Sequence, residues 1–181
     1  MDTPPEAFLA KGGAKVLESP QKVKAFGCFE IRTGRSKKML EKMKALAKEK
    51  DTCVLATVSG VEPHCSLMSY ATDDDCREIY MMTHKQTKKY RNLLQNEKVS
   101  LLIDTREEAG GREVTKALTI NGVFHRIQGE AKRKEAFARI LQKHPHLKKF
   151  ADSPDAEVFA VRIKSFQLLE GISDSSFIAM D

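Results

Sequence analysis

The chain has 181 residues, enough for a single domain that buries about 70% of the surface its unfolded form exposes, so no second domain is required. Lys and Arg total 31 against 25 acidic residues, and the resulting charge of +6 with a pI near 9.1 favours anionic partners. The positive residues are interspersed with acidic ones, as in Arg106-Glu107-Glu108 and Lys132 to Glu135, which argues against the continuous stripe of a nucleic-acid binder.

Residues 1–35 read as a partly extended N-terminal arm ahead of one domain over 36–181. Met1 to Lys22 is rich in Pro, Gly and Lys with few large apolar groups, whereas Val23, Ala25, Phe29 and Ile31 alternate as in an edge strand. Arg32 to Arg35 breaks that run, and after Ser36 the residues Leu40, Met43, Leu46 and Ala47 share one face of a helix. Cys53 to Val58 and His64 to Ala71 are strand-like runs joined by a turn with Gly60 and Pro63, the signature of a hairpin. Asp73 to Asp75 turns the chain into a strand from Glu78 to Thr83. That strand stops at the basic segment His84 to Lys89, where a helix opens with Tyr90, Leu93 and Leu94 toward the core and Asn96 as its C-cap.

Val99 to Ile103 follows as a strand, and Thr105 to Lys116, with Gly110-Gly111, as a mobile loop suited to close over a ligand. Ala117 to Ala131 reads as a long strand bent or bulged at Gly122. A helix over Lys132 to His144 carries Ala136, Phe137, Ile140 and Leu141 on one face and stops at Pro145, after which Leu147 and Phe150 continue the apolar side. Beyond the turn Ser153-Pro154-Asp155, Glu157 to Ile163 and Phe166 to Leu169 supply the last strands, and Ser173 to Asp181 reads as a tail. Strand-like runs without βαβ alternation, together with about three helices, predict a mainly β fold: an antiparallel barrel with helices at its ends.

Cys28, Cys53, Cys65 and Cys76 contain no C-x-x-C pair, so a zinc site and a disulfide framework are disfavoured and reduced thiols expected. No run approaches the ~20 apolar residues of a membrane span, and Met1 to Pro5 does not open a targeting core, so the expected setting is cytoplasmic.

The junction between the third strand and its helix is the place for chemistry. The first N–H groups of a helix lack internal partners and the helix dipole is positive there, so an anion is the natural guest. In T-H-K-Q-T-K-K, Thr83 and Thr87 add hydroxyls and Lys88 and Lys89 add charge; composition alone favours a solvated basic helix end. Ser66 and Ser69 lie on a strand that offers main-chain donors beside the apolar Leu67 and Met68, or else form an outward polar face. His64 and His84 flank the same region, where a surface or hydrogen-bonded histidine is commoner than a catalytic one. His144-Pro145-His146 matches no metal-ligand spacing and suits capping of helix carbonyls. No catalytic residue is assigned, because no Ser-His-Asp or Cys-His arrangement follows from spacing.

The order A-T-V-S-G-x-E-P-H-x-S, then I-Y-M-M-T-x-x-x-T-K-K-x-x-N-L, then V-S-L-L-I-D, extending to Gly129 and Leu168-Leu169-Glu170-Gly171, resembles the pyridoxamine 5′-phosphate oxidase-like FMN-binding split-barrel family. The resemblance covers roughly Lys38 to Gly171. It implies a split barrel with FMN along the second strand, at Ser66, Leu67, Met68 and Ser69, with the phosphate at Thr83, Thr87 and Lys88, Lys89 as a second basic contact, and Met82 among the cofactor-binding residues. It also implies a homodimer with the flavin at the subunit boundary, and an FMN-dependent oxidoreductase that draws electrons from a nicotinamide nucleotide or a protein donor. Haem binding or degradation, performed by some split-barrel relatives, is the alternative and would require a ligand such as His84 or His125; a non-enzymatic flavin-holding sensor is another. The vitamin B6 oxidases proper carry an arginine where Ser66 aligns and a C-terminal signature with Trp and Arg. This chain has no Trp and ends SSFIAMD, so pyridoxamine 5′-phosphate is not the expected substrate.

Overall fold

Period-two alternation of buried and exposed side chains carries the architecture: β1 (Thr52–Ser59) and β4 (Lys98–Asp104) bury every second residue. The structure, a computed structural model, describes residues 33–108 and 114–180, with side chains described from Ser36 onward. Residues 1–32 of the expected arm, with the edge strand expected at Val23 to Ile31, and Gly110-Gly111 of the expected loop lie outside the described residues, whereas Thr33 to Arg35 belong to the first helix rather than to an arm.

The remaining strands are β2 (Glu62–Thr72), β3 (Glu78–His84), β5 (Lys116–Arg126), β6 (Ala156–Glu170) and β7 (Asp174–Ala179). All pairings are antiparallel in the order β3-β2-β1-β4-β5-β6, and β3 also pairs with β6, so six strands close into a barrel with β7 appended to β6. Closure removes the edges an open sheet would expose. The helices are α1 (Thr33–Glu49), α2 (Lys88–Gln95), α3 (Glu130–Lys143) and the short α4 (Lys148–Ala151), which follows a 3₁₀ turn at Pro145–Leu147.

The barrel interior holds Leu55, Tyr70, Met81, Leu101, Ile120, Phe159 and Phe166, with Met43, Leu46 and Ala47 of α1 packed on it as their spacing predicts. A second core lies on the outer face of β3 and β6, where Tyr80, Met82, Val158 and Ala160 meet Ala136 and Ile140 of α3. β3 is therefore covered on both faces, which explains its unbroken apolar run Ile79-Tyr80-Met81-Met82.

Several boundaries differ from the sequence reading. The two last strands are one, because Arg162 and Lys164 turn outward and let the chain run through them; the ladder slips where Asn121 pairs with Ser165 but Gly122 with Ile163, leaving Lys164 as the bulged residue. The expected bulge is thus at Gly122, with its extra residue on β6. The expected tail is β7, recruited by the half of β6 that β3 does not reach. β5 stops at Arg126 rather than Ala131, since Gly129, at φ 83°, caps α3 and the helix starts at Glu130. Asn96 does cap α2, but in an extended conformation and through its backbone N–H on the Asn92 carbonyl. The neck of the 105–116 connection is pinned, with Thr105 buried and the Lys116 N–H donating to its hydroxyl at 2.9 Å.

α3 is tied to the barrel by charge as well as by apolar packing. Glu78 accepts from Lys132 at 2.7 Å and from the Tyr80 hydroxyl at 3.1 Å, and His125 Nε2 lies 3.1 Å away. Burial pushes the Glu78 carboxyl up, yet its bonds to Lys132 and Tyr80 outweigh this and hold it below the ordinary value of 4.5. A depressed carboxyl stabilises the fold above its unfolded value and loses that contribution as pH falls through the folded value. Glu78→Gln is therefore expected to be less stable than wild type at neutral pH, with the difference shrinking below about pH 4.5. Urea unfolding across that window checks this, and a pH-independent difference would assign the loss to packing.

Candidate functional site

β2 is paired with β1 along Glu62 to Ser69, but with β3 only at Tyr70, Ala71 and Thr72; beyond Met81, β3 keeps β6 on its other edge but has no β2 partner. The two strands therefore part, and a cleft of about 250 Å³ opens between them. Leu67, Met68 and Ser69 line it from β2, Met82, Thr83 and His84 from β3, Thr87 and Lys89 from α2, and Leu147 and Phe150 from the segment after α3. The Tyr70 N–H bonds the Asp51 carbonyl on the β1 side, so ladder alternation turns the main-chain groups of Leu67 and Ser69 toward the open side.

At the closed end of the cleft, Thr87 is the N-cap of α2: its hydroxyl accepts from the Tyr90 N–H at 3.4 Å and donates to the His84 carbonyl at 2.9 Å. The buried Thr83 hydroxyl lies 3.1 Å from that of Thr87. Thr83, Thr87 and Lys89 line one cleft at the N-terminal end of α2, where hydroxyls, a lysine and the positive end of the helix dipole suit an oxyanion. Asn92 holds this helix in place. It is buried and donates at 3.1 Å to Thr57 Oγ1 on β1, and Thr57 in turn donates to the His64 carbonyl at 3.3 Å. Asn92 stands in the quoted motif, but its one-dimensional context gives no sign that it faces β1.

Of the residues expected from the sequence, Leu67, Met68, Ser69, Met82, Thr83, Thr87 and Lys89 share this cleft. Ser66 and Lys88 lie beside it: the Ser66 hydroxyl is 3.4 Å from His64 Nε2, and exposed Lys88 is 3.9 Å from Glu62. The sequence reading missed Leu147 and Phe150 as site residues, although their apolar side after Pro145 was the available signal. Phe150 stacks on His84 with ring centroids 4.1 Å apart and planes 10° apart. His84 Nδ1 is 4.0 Å from Asp155, and its buried Nε2 makes no hydrogen bond.

The other titratable candidates have structural roles. Buried His144 meets the Tyr70 carbonyl through Nε2 at 2.9 Å, so it joins α3 to β2 rather than capping helix carbonyls with its ring. Burial pushes the thiols of Cys53 and Cys76 up to about 12 and about 11, which leaves them protonated and poor nucleophiles near neutral pH. No group of His, Cys, Asp and Glu suited to a metal ion occurs among the described residues. A larger, more open groove of about 580 Å³, lined by Leu94, Glu97, His125 and Arg126 among others, lies at the C-terminal end of α2. There the helix dipole is negative, so the smaller cleft is the better anion site. No described helix is long and apolar enough to cross a membrane.

A closed antiparallel barrel with a parted strand pair and a cleft at the third strand's end defines the class of split-barrel proteins. Residues 39–170 match the family described as Pyridoxamine 5′-phosphate oxidase, and the chain belongs to that family. No curated protein sequence matches it significantly. Among solved structures, a haem-binding protein from Mycobacterium smegmatis aligns with TM-score 0.70 and 19% identity over 77% of this chain; the alignment spans 57% of that protein. An FAD-binding protein from Mesorhizobium loti aligns with TM-score 0.59 and 18% identity, covering 72% of this chain and 90% of that one. A haem storage protein from Vibrio cholerae gives 0.60 and 17%, covering 75% and 94%. At such identities these likenesses establish the fold.

Proposed function

We propose that this chain holds FMN in the cleft between β2 and β3 and serves as an FMN-dependent oxidoreductase. The observation that carries this reading is that Thr83, the α2 N-cap Thr87 and Lys89 line the same cleft as the β2 stretch Leu67 to Ser69, which β3 leaves unpaired. That arrangement suits a ligand with a phosphate at one end and a flat ring with polar edges at the other. When bound, FMN supplies the electron or hydride transfer; the chain's residues bind, orient and shield it.

The volume of about 250 Å³ falls below the ~300–1,000 Å³ typical of ligand pockets, so one protomer covers the flavin on one side only. A second copy completes the site in this reading, and the protein works as a homodimer. Sedimentation is expected to give twice the 20.3 kDa chain mass, and a monomer that still retains FMN would overturn the shared site. Pyridoxamine 5′-phosphate is not the expected substrate: a second phosphate needs its own basic donors over the ring, and β7, which ends the described chain, contributes no Lys or Arg.

His84 gives haem a foothold as a second reading, since its Nε2 is unpartnered. Ligation would require the groups that bury Nε2 to move, whereas Thr83, Thr87 and Lys89 already line the cleft for a phosphate, so flavin fits better. Purified protein titrated separately with FMN and haemin tests the choice. Saturable FMN uptake at one per chain supports the proposal; a ligated Soret spectrum without flavin uptake would replace it with the haem reading.

A further inference from the structure

Proteins sharing this fold bind flavin dinucleotide in one case and haem in another, so selection among ligands has to come from local features of the cleft. We propose that the stacked pair His84–Phe150 ends the cleft at the phosphate and makes it select the flavin mononucleotide over the dinucleotide. This rests on the FMN reading above and adds its specificity determinant.

The place of the pair follows from its bonds. His84 follows Thr83 at the end of β3, its carbonyl takes the Thr87 proton at 2.9 Å, and its ring lines the cleft together with Thr83 and Thr87. Phe150 lies flat against that ring at 4.1 Å, and both line the cleft together with Thr83 and Thr87. Chain continuing past the phosphate on this side would meet two stacked rings.

The pair is braced from behind. Phe150, Leu147 and Ala151 pack on the core cluster that contains Met82 and Val158. The Phe150 carbonyl accepts from Ser153 at 3.2 Å, the Ser153 carbonyl from Ala156 at 3.0 Å, and the Asp155 carbonyl from Lys85 at 3.0 Å, which ties the segment to the start of β6 and to the end of β3. Moving Phe150 outward therefore disturbs packing and the turn together.

Ligand chemistry completes the argument. FMN ends in a phosphate monoester, a compact terminal dianion that two hydroxyls, helix-end N–H groups and Lys89 can surround. FAD continues from the same phosphorus through a pyrophosphate to an adenosine, carries less charge on that phosphate and needs an exit. With the stacked rings closing this side, the adenosine has to extend out of the cleft into solvent, where it gains no enclosing contact.

The test is the dissociation constants of FMN and FAD, read by flavin fluorescence, for wild type, Phe150→Ala and Phe150→Leu. Wild type is expected to bind FMN at least about tenfold tighter than FAD. Phe150→Ala, which opens the wall, should bring the two within about threefold, chiefly by strengthening FAD. Phe150→Leu keeps apolar bulk on the core while removing the stack, so it gives an intermediate ratio and replaces the alanine variant if that one does not fold. Equal wild-type affinities for both flavins, or an unchanged ratio in a folded Phe150 variant, would overturn the selection and leave the FMN reading intact. Binding of neither flavin by wild type would overturn both.

Discussion

Gly122→Ala is expected to destabilise the barrel by about 3 kcal/mol, the upper end of the range for overpacking. A Cβ at this position would stand 2.5 Å from Val161 Cγ1 and 2.7 Å from the Arg162 carbonyl oxygen. The valine methyl can rotate, but the carbonyl belongs to β6, so β5 and β6 must separate where the ladder has already slipped. β6 cannot yield locally, because β3 and β7 are paired along its other edge. A melting temperature lowered by roughly 6–12 °C follows for a domain of this size. Gly60→Ala is the contrast: its φ is 58° with no atom within 4 Å of the added Cβ, so it bears only backbone strain of about 1–2 kcal/mol. Calorimetry of the two variants checks the order, and a Gly122→Ala protein as stable as Gly60→Ala would show that the bulge relaxes freely.

Lys89→Ala should weaken FMN binding by about 1.5–3 kcal/mol, the range for a hydrogen bond to a charged group, or roughly tenfold to a hundredfold. Riboflavin lacks the phosphate and should bind mutant and wild type alike, so an equal loss for both ligands would mean that Lys89 acts on the fold. Lys88→Ala should have the smaller effect, because Lys88 is exposed beside Glu62 and does not line the cleft. Two adjacent lysines look equivalent in sequence. Successive helical positions point about 100° apart, so the placement of α2 on the barrel decides which of them reaches the ligand.

That placement marks the boundary between what was legible and what was not. The β1–β2 hairpin, the α1 face of Met43, Leu46 and Ala47, and the Thr83-to-Thr87 junction follow from periodicity and turn chemistry, which act over a few residues and are written in order along the chain. Seven of the nine residues expected in the site do share the cleft. The merger of two expected strands into β6 was not legible, because a bulge interrupts the alternation at Lys164 and imitates a turn. The tail became β7 for a reason that lies elsewhere, in the half of β6 left without a neighbour once β3 stops. Asn92, Leu147 and Phe150 belong to the same class: their partners Thr57, Met82 and His84 lie 35 or more residues away in sequence, and only closure of the barrel brings them within reach. Sequence by itself determined the β1–β2 hairpin, the α1 face and the strand-to-helix junction that carries Thr83, Thr87 and the two lysines. Tertiary structure alone decided the parting of β2 from β3, and with it the shape of the cleft, because strand partners are chosen by which hydrogen-bonding edges remain free after the barrel closes.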